Sequence, residues 1–361
     1  MKAEFDYKIS SGCSLFGVIN EDGKRISGTV PMKAIRVMRE RANGLGGGFA
    51  GYGIYPKYAK YYAFHILYDN EEAKKETETY LNEKFSVEKD EQIPTREYEP
   101  IKPTGLLWRY FLKPKKRQPK DRALEGDFVV NTVMHINVRI KGAFVVSSGK
   151  NMGIFKGVGF PEEIGKFYRL EKYKAYSWIT HGRFPTNTVG WWGGAHPFGL
   201  LDWSVVHNGE ISSYGINRRY LLNSGYHCTL FTDTEVMTYL FDLLVRKHGL
   251  DFKTVGEIIS ARFWDEIERM PQREKKTHEA LRMIYGSALV NGPFAIIVGF
   301  TGGMVGINDR IKLRPLVAGR NNNSLYISSE EAGIREVCPS PERVWMPKAG
   351  EPVIGRLKKN G

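Results

Sequence analysis

The chain has 361 residues, 42% of them hydrophobic and 26% charged, and a formal net charge of +13. These are globular values, with apolar material for one large domain or two ordinary ones. Three scattered cysteines (Cys13, Cys228, Cys338) with no Cys-x-x-Cys pair exclude a disulfide framework and a cysteine zinc site.

The opening MKAEFDYKIS alternates charges without an apolar segment, so it is not a secretory signal. No apolar run approaches the ~18 residues of a membrane span. A reducing, cytoplasmic setting is expected. The positive balance suits a solvated basic surface, an acidic partner, an anionic ligand or nucleic acid. Its one dense cluster, KPKKRQPKDR at 113–122, has two prolines and no aromatic residue. It reads as a loop, whereas nucleic-acid binders interleave stacking aromatics with basic residues. No nucleic-acid partner is expected.

Along the chain, residues 13–20 read as a buried strand with Cys13 at its mouth. Residues 31–42, PMKAIRVMRERA, read as a helix. Pro31 suits the first turn, and Met32, Ile35, Met38 and Ala42 recur at helical spacing. Residues 46–51 match GxGxxG, but a helix precedes them and a strand is expected after them. The dinucleotide fingerprint needs the reverse order, so these glycines read as a tight turn or close backbone packing. Residues 61–147 follow the pattern strand, helix, strands, helix, strand, which is a split βαβ subdomain. From residue 150 come a short helix in GFPEEIGKFYRL, a strand in AYSWITHGRF, a strand–turn–strand in WSVVHNGEISSYG and a helix in DTEVMTYLFDLLVRKHG. The tail from 293 to 357 reads as short strands divided by Gly, Pro and Asn. Strands and helices come in blocks, which argues α+β.

Four short motifs can carry chemistry. Cys13 reads first as a small buried hydrophobe. As a nucleophile it needs a base, because a thiol of pKa ~8.5 is barely ionised at neutral pH. A nearby histidine could serve. So could the cysteine's own α-amine, pKa ~7.7–8.0, if residues 1–12 were removed. In HGRFPTNT, Arg183 offers a planar fork suited to a carboxylate, and Thr186 and Asn187 add short polar groups on a loop. In VVHNGEI, Asn-Gly is a good hairpin signal, yet the Asn208 amide and the Gly209 N–H could also point two donors at one oxygen. In TDTE, Thr232 and Glu235 form a capping box, and Asp233 could hold an ammonium group. A nucleophile, a carboxylate binder, an oxyanion hole and an ammonium binder together suit glutamine, attacked at its side-chain amide. His181, His196 and His207 lie among these motifs at spacings that match no metal-ligand pattern, so no metal is expected and structural hydrogen bonding is their reading. Cys228 and Cys338 read as packing residues.

With these motifs the chain resembles the class II glutamine amidotransferases, N-terminal nucleophile enzymes. CSLFGVI is similar to their opening strand. Arg183, Asn208 and Asp233 stand at equal steps of 25 residues, as that family's carboxylate-binding, oxyanion and amine-binding positions do. RPLVAG and SSEEAGI resemble later strands. HGRFPTNT…WWGGAHPF…VHNGEI…TDTEV looks most like the stand-alone amidotransferase subunit of archaeal-type glutamate synthase. The resemblance implies a four-layer αββα sandwich of class α+β, a Cys13 nucleophile whose freed amine is the base, and an oxyanion hole at Asn208 and Gly209. It implies a glutamine site made of Arg183, Thr186, Asn187 and Asp233. It also implies a leader at 1–12 that is cleaved, an amidotransferase domain at 13–60 and 146–361, and an inserted subdomain at 61–145. No cofactor is expected on this chain. The implied partner is a glutamate synthase subunit that carries FMN and iron–sulfur clusters and passes ammonia to 2-oxoglutarate. Two alternatives stand beside this reading: a glutaminase subunit serving another ammonia acceptor, and a non-catalytic regulatory or basic binding module on a degenerate scaffold.

Overall fold

The computed structural model describes residues 12–103, 105–115, 122–185 and 189–358. Two antiparallel sheets lie face to face and set the architecture. The larger has seven strands in the order Arg343–Trp345, Val317–Asn321, Ser324–Ser328, Ser14–Asn20, Ser177–Gly182, Gly47–Tyr52, Met152–Gly157. The smaller has five, in the order Phe198–Leu200, Trp203–Gly209, Phe294–Phe300, Gly303–Asn308, Val353–Arg356.

Strand Ser14–Asn20 shows why these segments read as continuous apolar runs. Side chains alternate across a strand. Leu15 and Ile19 point into the layer between the sheets, with Ile179, Val206, Ala295, Ile297 and Met304. Phe16 and Val18 point the other way, into a core with Ala34, Ile35, Met38, Phe49 and Trp178. Both faces are buried, so polar alternation is absent. Helices Thr29–Arg36, Pro161–Phe167 and Glu331–Val337 cover the outer face of the seven-stranded sheet. Helices Tyr214–Leu222, Asp233–Phe241 and Phe252–Ile259 cover the outer face of the five-stranded one, over Val205, Ile296, Val298, Val305 and Ile307. The result is the four-layer αββα sandwich expected of the N-terminal nucleophile fold.

A third sheet carries strands Phe85–Gln92, Leu106–Pro114, Tyr62–Tyr68 and Ala143–Ser147 in that spatial order, all neighbours antiparallel. Helices Glu71–Lys84 and Arg122–Arg139 connect them. In chain order this is 2-3-1-4, the split βαβ arrangement.

Several local expectations change. The glycine run is itself a strand, Gly47–Tyr52, buried throughout. A Cβ on Gly48 would come within 2.4 Å of the His196 carbonyl, so close backbone packing accounts for the glycines. The predicted 31–42 helix is Thr29–Arg36 followed by a separate 3-10 turn at Arg39–Arg41. Asn208-Gly209 is not a hairpin turn. Strand Trp203–Gly209 runs through both residues, which pair with Ala295 and Phe294, and the chain then turns into helix Tyr214–Leu222. Pairing with a strand far along the chain overrides the local turn signal. The predicted 233–249 helix changes to a π-helical segment at Asp242–Lys247 before it stops. Strand Gly303–Asn308 was not expected, because its glycines read as punctuation.

Candidate active site

Five chain segments converge on one cleft of about 250 Å³, lined by Cys13, Arg183, Phe184, His196, His207, Gly209, Tyr214, Phe231 and Asp233 among others. Its size suits a small ligand. Cys13 stands at the head of strand Ser14–Asn20. The antiparallel neighbour Ser177–Gly182 ends opposite it, with Ser14 facing Gly182, so Arg183 and Phe184 emerge beside the thiol. Asn208 and Gly209 end strand Trp203–Gly209 of the other sheet. Asp233 opens a helix whose N-cap, Thr232, accepts from the Glu235 N–H at 3.2 Å.

The thiol is half-buried, and its sulfur accepts from the Phe184 N–H at 3.4 Å. Burial pushes the thiol above its ordinary pKa, against the Phe184 N–H and the Arg183 guanidinium, which favour the thiolate. With Gly12 attached, the environment therefore favours the Cys13 thiol over the thiolate. Arg183 is 7% exposed, and burial lowers its pKa against the pull of Cys13 and Asp233. Burial alone would raise the Asp233 carboxyl. The His207 ring, 3.5 Å away, with bonds from the Ile211 N–H and the Thr234 hydroxyl, outweighs this and holds Asp233 below the usual carboxylate range. Asp233 thus stays anionic and can face an ammonium group.

Asn208 is 1% exposed, and its Nδ2 has no hydrogen-bond partner among the described residues. A buried unpaired donor costs about 1–3 kcal/mol, which a bound oxygen would recover. Gly209 has φ +142°, and a Cβ there would lie 1.9 Å from the Pro293 carbonyl, so this backbone path needs glycine. Gly12 is similarly constrained. Its φ is +150°, and a Cβ would meet Arg41 Nη2 at 3.1 Å and Asn208 Oδ1 at 3.5 Å.

Cys13, Arg183, Gly209 and Asp233 therefore line the cleft, and Asn208 lies between the lining residues His207 and Gly209 without lining it itself. Thr186, Asn187 and nearly all of the expected leader lie outside the described residues. The capping box is only half formed. Glu235 turns away from the N-cap and accepts from the Thr229 and Leu230 N–H groups, at 3.0 and 2.9 Å, and from the Tyr239 hydroxyl. Burial raises its pKa to about 7.

Lys156 was not anticipated. Its ammonium is buried, donating to the Gly193 and Ala195 carbonyls at 2.9 Å each, and burial lowers it to about 7. A lysine inside the apolar run MGIFKG was the available signal. The three histidines are linked to one another. His196 Nε2 meets the Thr234 hydroxyl at 2.6 Å, that hydroxyl lies 3.3 Å from His207 Nδ1, and the His181 and His196 rings stack at 4.1 Å. Among the described residues no group of three or more His, Cys, Asp or Glu is placed to hold a metal. No helix among them is long and apolar enough to cross a membrane.

The chain is similar to several known proteins. The chain is 52% identical over 354 residues to an uncharacterized protein of Archaeoglobus fulgidus, covering 97% of this chain and 94% of that one. It is 25% identical to the glutamine amidotransferase-like protein GlxB of Rhizobium meliloti, covering 59% of this chain and 60% of the relative. It is 26% identical to an amidophosphoribosyltransferase of Methanocaldococcus jannaschii, covering 54% of this chain and 36% of that one. The chain thus spans well under two thirds of these two named relatives. A solved glutamine phosphoribosylpyrophosphate amidotransferase from B. subtilis aligns with TM-score 0.46 and 14% identity, over 96% of this chain and 50% of that one. The family described as glutamine amidotransferases class-II matches residues 127–226, the stretch that holds Arg183, Asn208 and Gly209. Residues 127–226 thus carry a class II glutamine amidotransferase match, beside a cleft that also gathers Cys13 and Asp233.

Proposed function

We propose that this protein hydrolyses L-glutamine to glutamate and ammonia through a thioester on Cys13. The observation that carries the reading is the convergence of Cys13, Arg183, Gly209 and Asp233 on one small cleft, with a buried, unpaired amide on Asn208, between the lining residues His207 and Gly209. Arg183 binds the α-carboxylate and Asp233 the α-ammonium, which aims the side-chain amide at the sulfur. Thr186 and Asn187, outside the described residues, are assigned to carboxylate binding by the motif resemblance alone. Once the Gly12–Cys13 bond is cut, the Cys13 α-amine takes the thiol proton. The sulfur attacks the amide carbon, and the oxyanion is held by Asn208 Nδ2–H and the Gly209 N–H. The amine returns its proton to the departing nitrogen, and ammonia leaves. Water then clears the γ-glutamyl thioester, releasing glutamate and the thiol.

The ammonia acceptor belongs to a partner chain. The motif run HGRFPTNT…WWGGAHPF supports a glutamate synthase subunit acting on 2-oxoglutarate, with FMN and iron–sulfur clusters on the partner. Protein processed to begin at Cys13, checked by intact mass, is expected to release glutamate from glutamine. Cys13→Ala is expected to abolish that release. Full activity in the Ala variant, or in protein still beginning at Met1, would end this reading. Isolation with the native partner, followed by transfer of labelled amide nitrogen, separates 2-oxoglutarate from any other acceptor.

A further inference from the structure

We propose that His181 is a positioning residue: its hydrogen bond across the two sheets fixes the oxyanion donors of one sheet relative to the nucleophile of the other. The inference rests on the glutaminase reading above. His181 lies on strand Ser177–Gly182, paired with Leu15 two residues beyond Cys13. It is fully buried, at 0% exposure. Its Nε2 lies 2.9 Å from the His207 carbonyl, on strand Trp203–Gly209 of the other sheet. A carbonyl only accepts, so Nε2 carries the proton and donates. That carbonyl belongs to the peptide unit joining His207 to Asn208. The bond therefore fixes the plane from which the Asn208 side chain departs.

Three features favour this role over plain packing. Around His181 the layer between the sheets holds apolar side chains such as Leu15, Ile179, Val206 and Ile297, which set a spacing but no direction. A second polar link across it, Tyr52 hydroxyl to Ser204 hydroxyl at 2.6 Å, lies towards the other end of strand Trp203–Gly209. A hydrogen bond does both. His181 Nδ1 is buried with no partner among the described residues, so a polar ring is kept at a cost that a leucine would avoid. The ring also stacks on His196, which lines the cleft. Burial holds His181 near pKa 3, and the bond to the His207 carbonyl only partly opposes that, so the ring is a neutral donor throughout the working range.

The test uses protein that begins at Cys13. His181→Leu removes the donor, and His181→Gln restores an amide N–H. The Leu variant is expected to lose roughly ten- to a hundred-fold in kcat, the scale of a small misplacement of catalytic groups. Its KM should stay near the wild-type value, because Arg183 and Asp233 are untouched. Alkylation of Cys13 by iodoacetamide, read by mass on the Cys13 peptide, should keep its wild-type rate, since the nucleophile itself is intact. His181→Gln should recover most of the lost kcat with an unchanged pH profile. If the Leu variant does not fold, His181→Asn replaces it. It carries the same amide one methylene short, and its kcat should fall below that of the Gln variant. Wild-type kcat in the Leu variant, equal losses in kcat and alkylation, or no advantage of Gln over its partner overturns the proposal. A processed wild-type protein that releases no glutamate overturns the glutamine reading and this inference together.

Discussion

Two buried polar regions of this molecule treat their hydrogen bonds in opposite ways. In the split βαβ subdomain, buried His65 uses both ring nitrogens, one on the Tyr55 hydroxyl at 2.8 Å and one on the Ile154 carbonyl at 2.9 Å. Nearby, Tyr68, Tyr110 and Glu78 form a continuous chain of bonds at 3.0 Å each. Around the cleft, buried polar atoms remain without partners among the described residues: His181 Nδ1, His196 Nδ1, His207 Nε2 and Asn208 Nδ2. Satisfied networks stabilise a fold, whereas unsatisfied ones are costly. Where such cost is concentrated, a ligand or a reacting group supplies the missing partner.

The comparison breaks most sharply at Asn208. Asn208→Ala is expected to lower kcat for glutamine by about 10²–10³, the usual loss for one oxyanion donor. Its stability should not fall, because the variant removes a buried donor that lacks a partner and costs about 1–3 kcal/mol. A loss in stability with normal kcat would reverse the assignment of the region.

His65→Leu should do the opposite. It leaves the Ile154 carbonyl and the Tyr55 hydroxyl short of a partner and should cost about 2–3 kcal/mol in urea unfolding, with glutamine turnover retained. The same residue sharpens the acid limit. Burial holds His65 and His181 near pKa 3 and pushes His196 well down. Below the ordinary value of about 6.5 the unfolded chain binds protons that the native one refuses. Stability should therefore fall as pH drops from about 6.5 towards about 3, by up to roughly 1.4 kcal/mol per pH unit for each such group. His65→Leu should make that slope shallower. An unchanged slope would show that His65 is not held neutral.

The smallest effect lies at the junction of structure and site. Thr232→Ala removes the cap from the helix that presents Asp233 and should cost about 1 kcal/mol, read as a lower urea midpoint.

Much of the site was legible in the sequence because its chemistry needs rare residue types. A cysteine before an apolar run, an arginine after a strand, an Asn-Gly pair and an aspartate at a capped helix start are local signals. They indicated which residues to gather. They did not indicate how Asn208 and Gly209 would sit, and the local rule for Asn-Gly predicted a hairpin that is not there. Lys156 and the final partners of Glu235 were hidden for a related reason. Their bonds go to the backbone of residues 193, 195, 229 and 230, which no spacing along the chain brings into view.

The sequence by itself determined most element types, the α+β class, the split βαβ pattern and four residues that line the cleft, Cys13, Arg183, Gly209 and Asp233. Those follow from side-chain periodicity and turn chemistry, which act within a few residues. Only the tertiary structure decided that Gly47–Tyr52 is a central strand and that strand Trp203–Gly209 pairs with a segment about ninety residues on. It also decided that His181 reaches across to the peptide of Asn208. Those outcomes depend on pairing and burial between distant segments, where the free energy of closing two sheets over one core outweighs local preference.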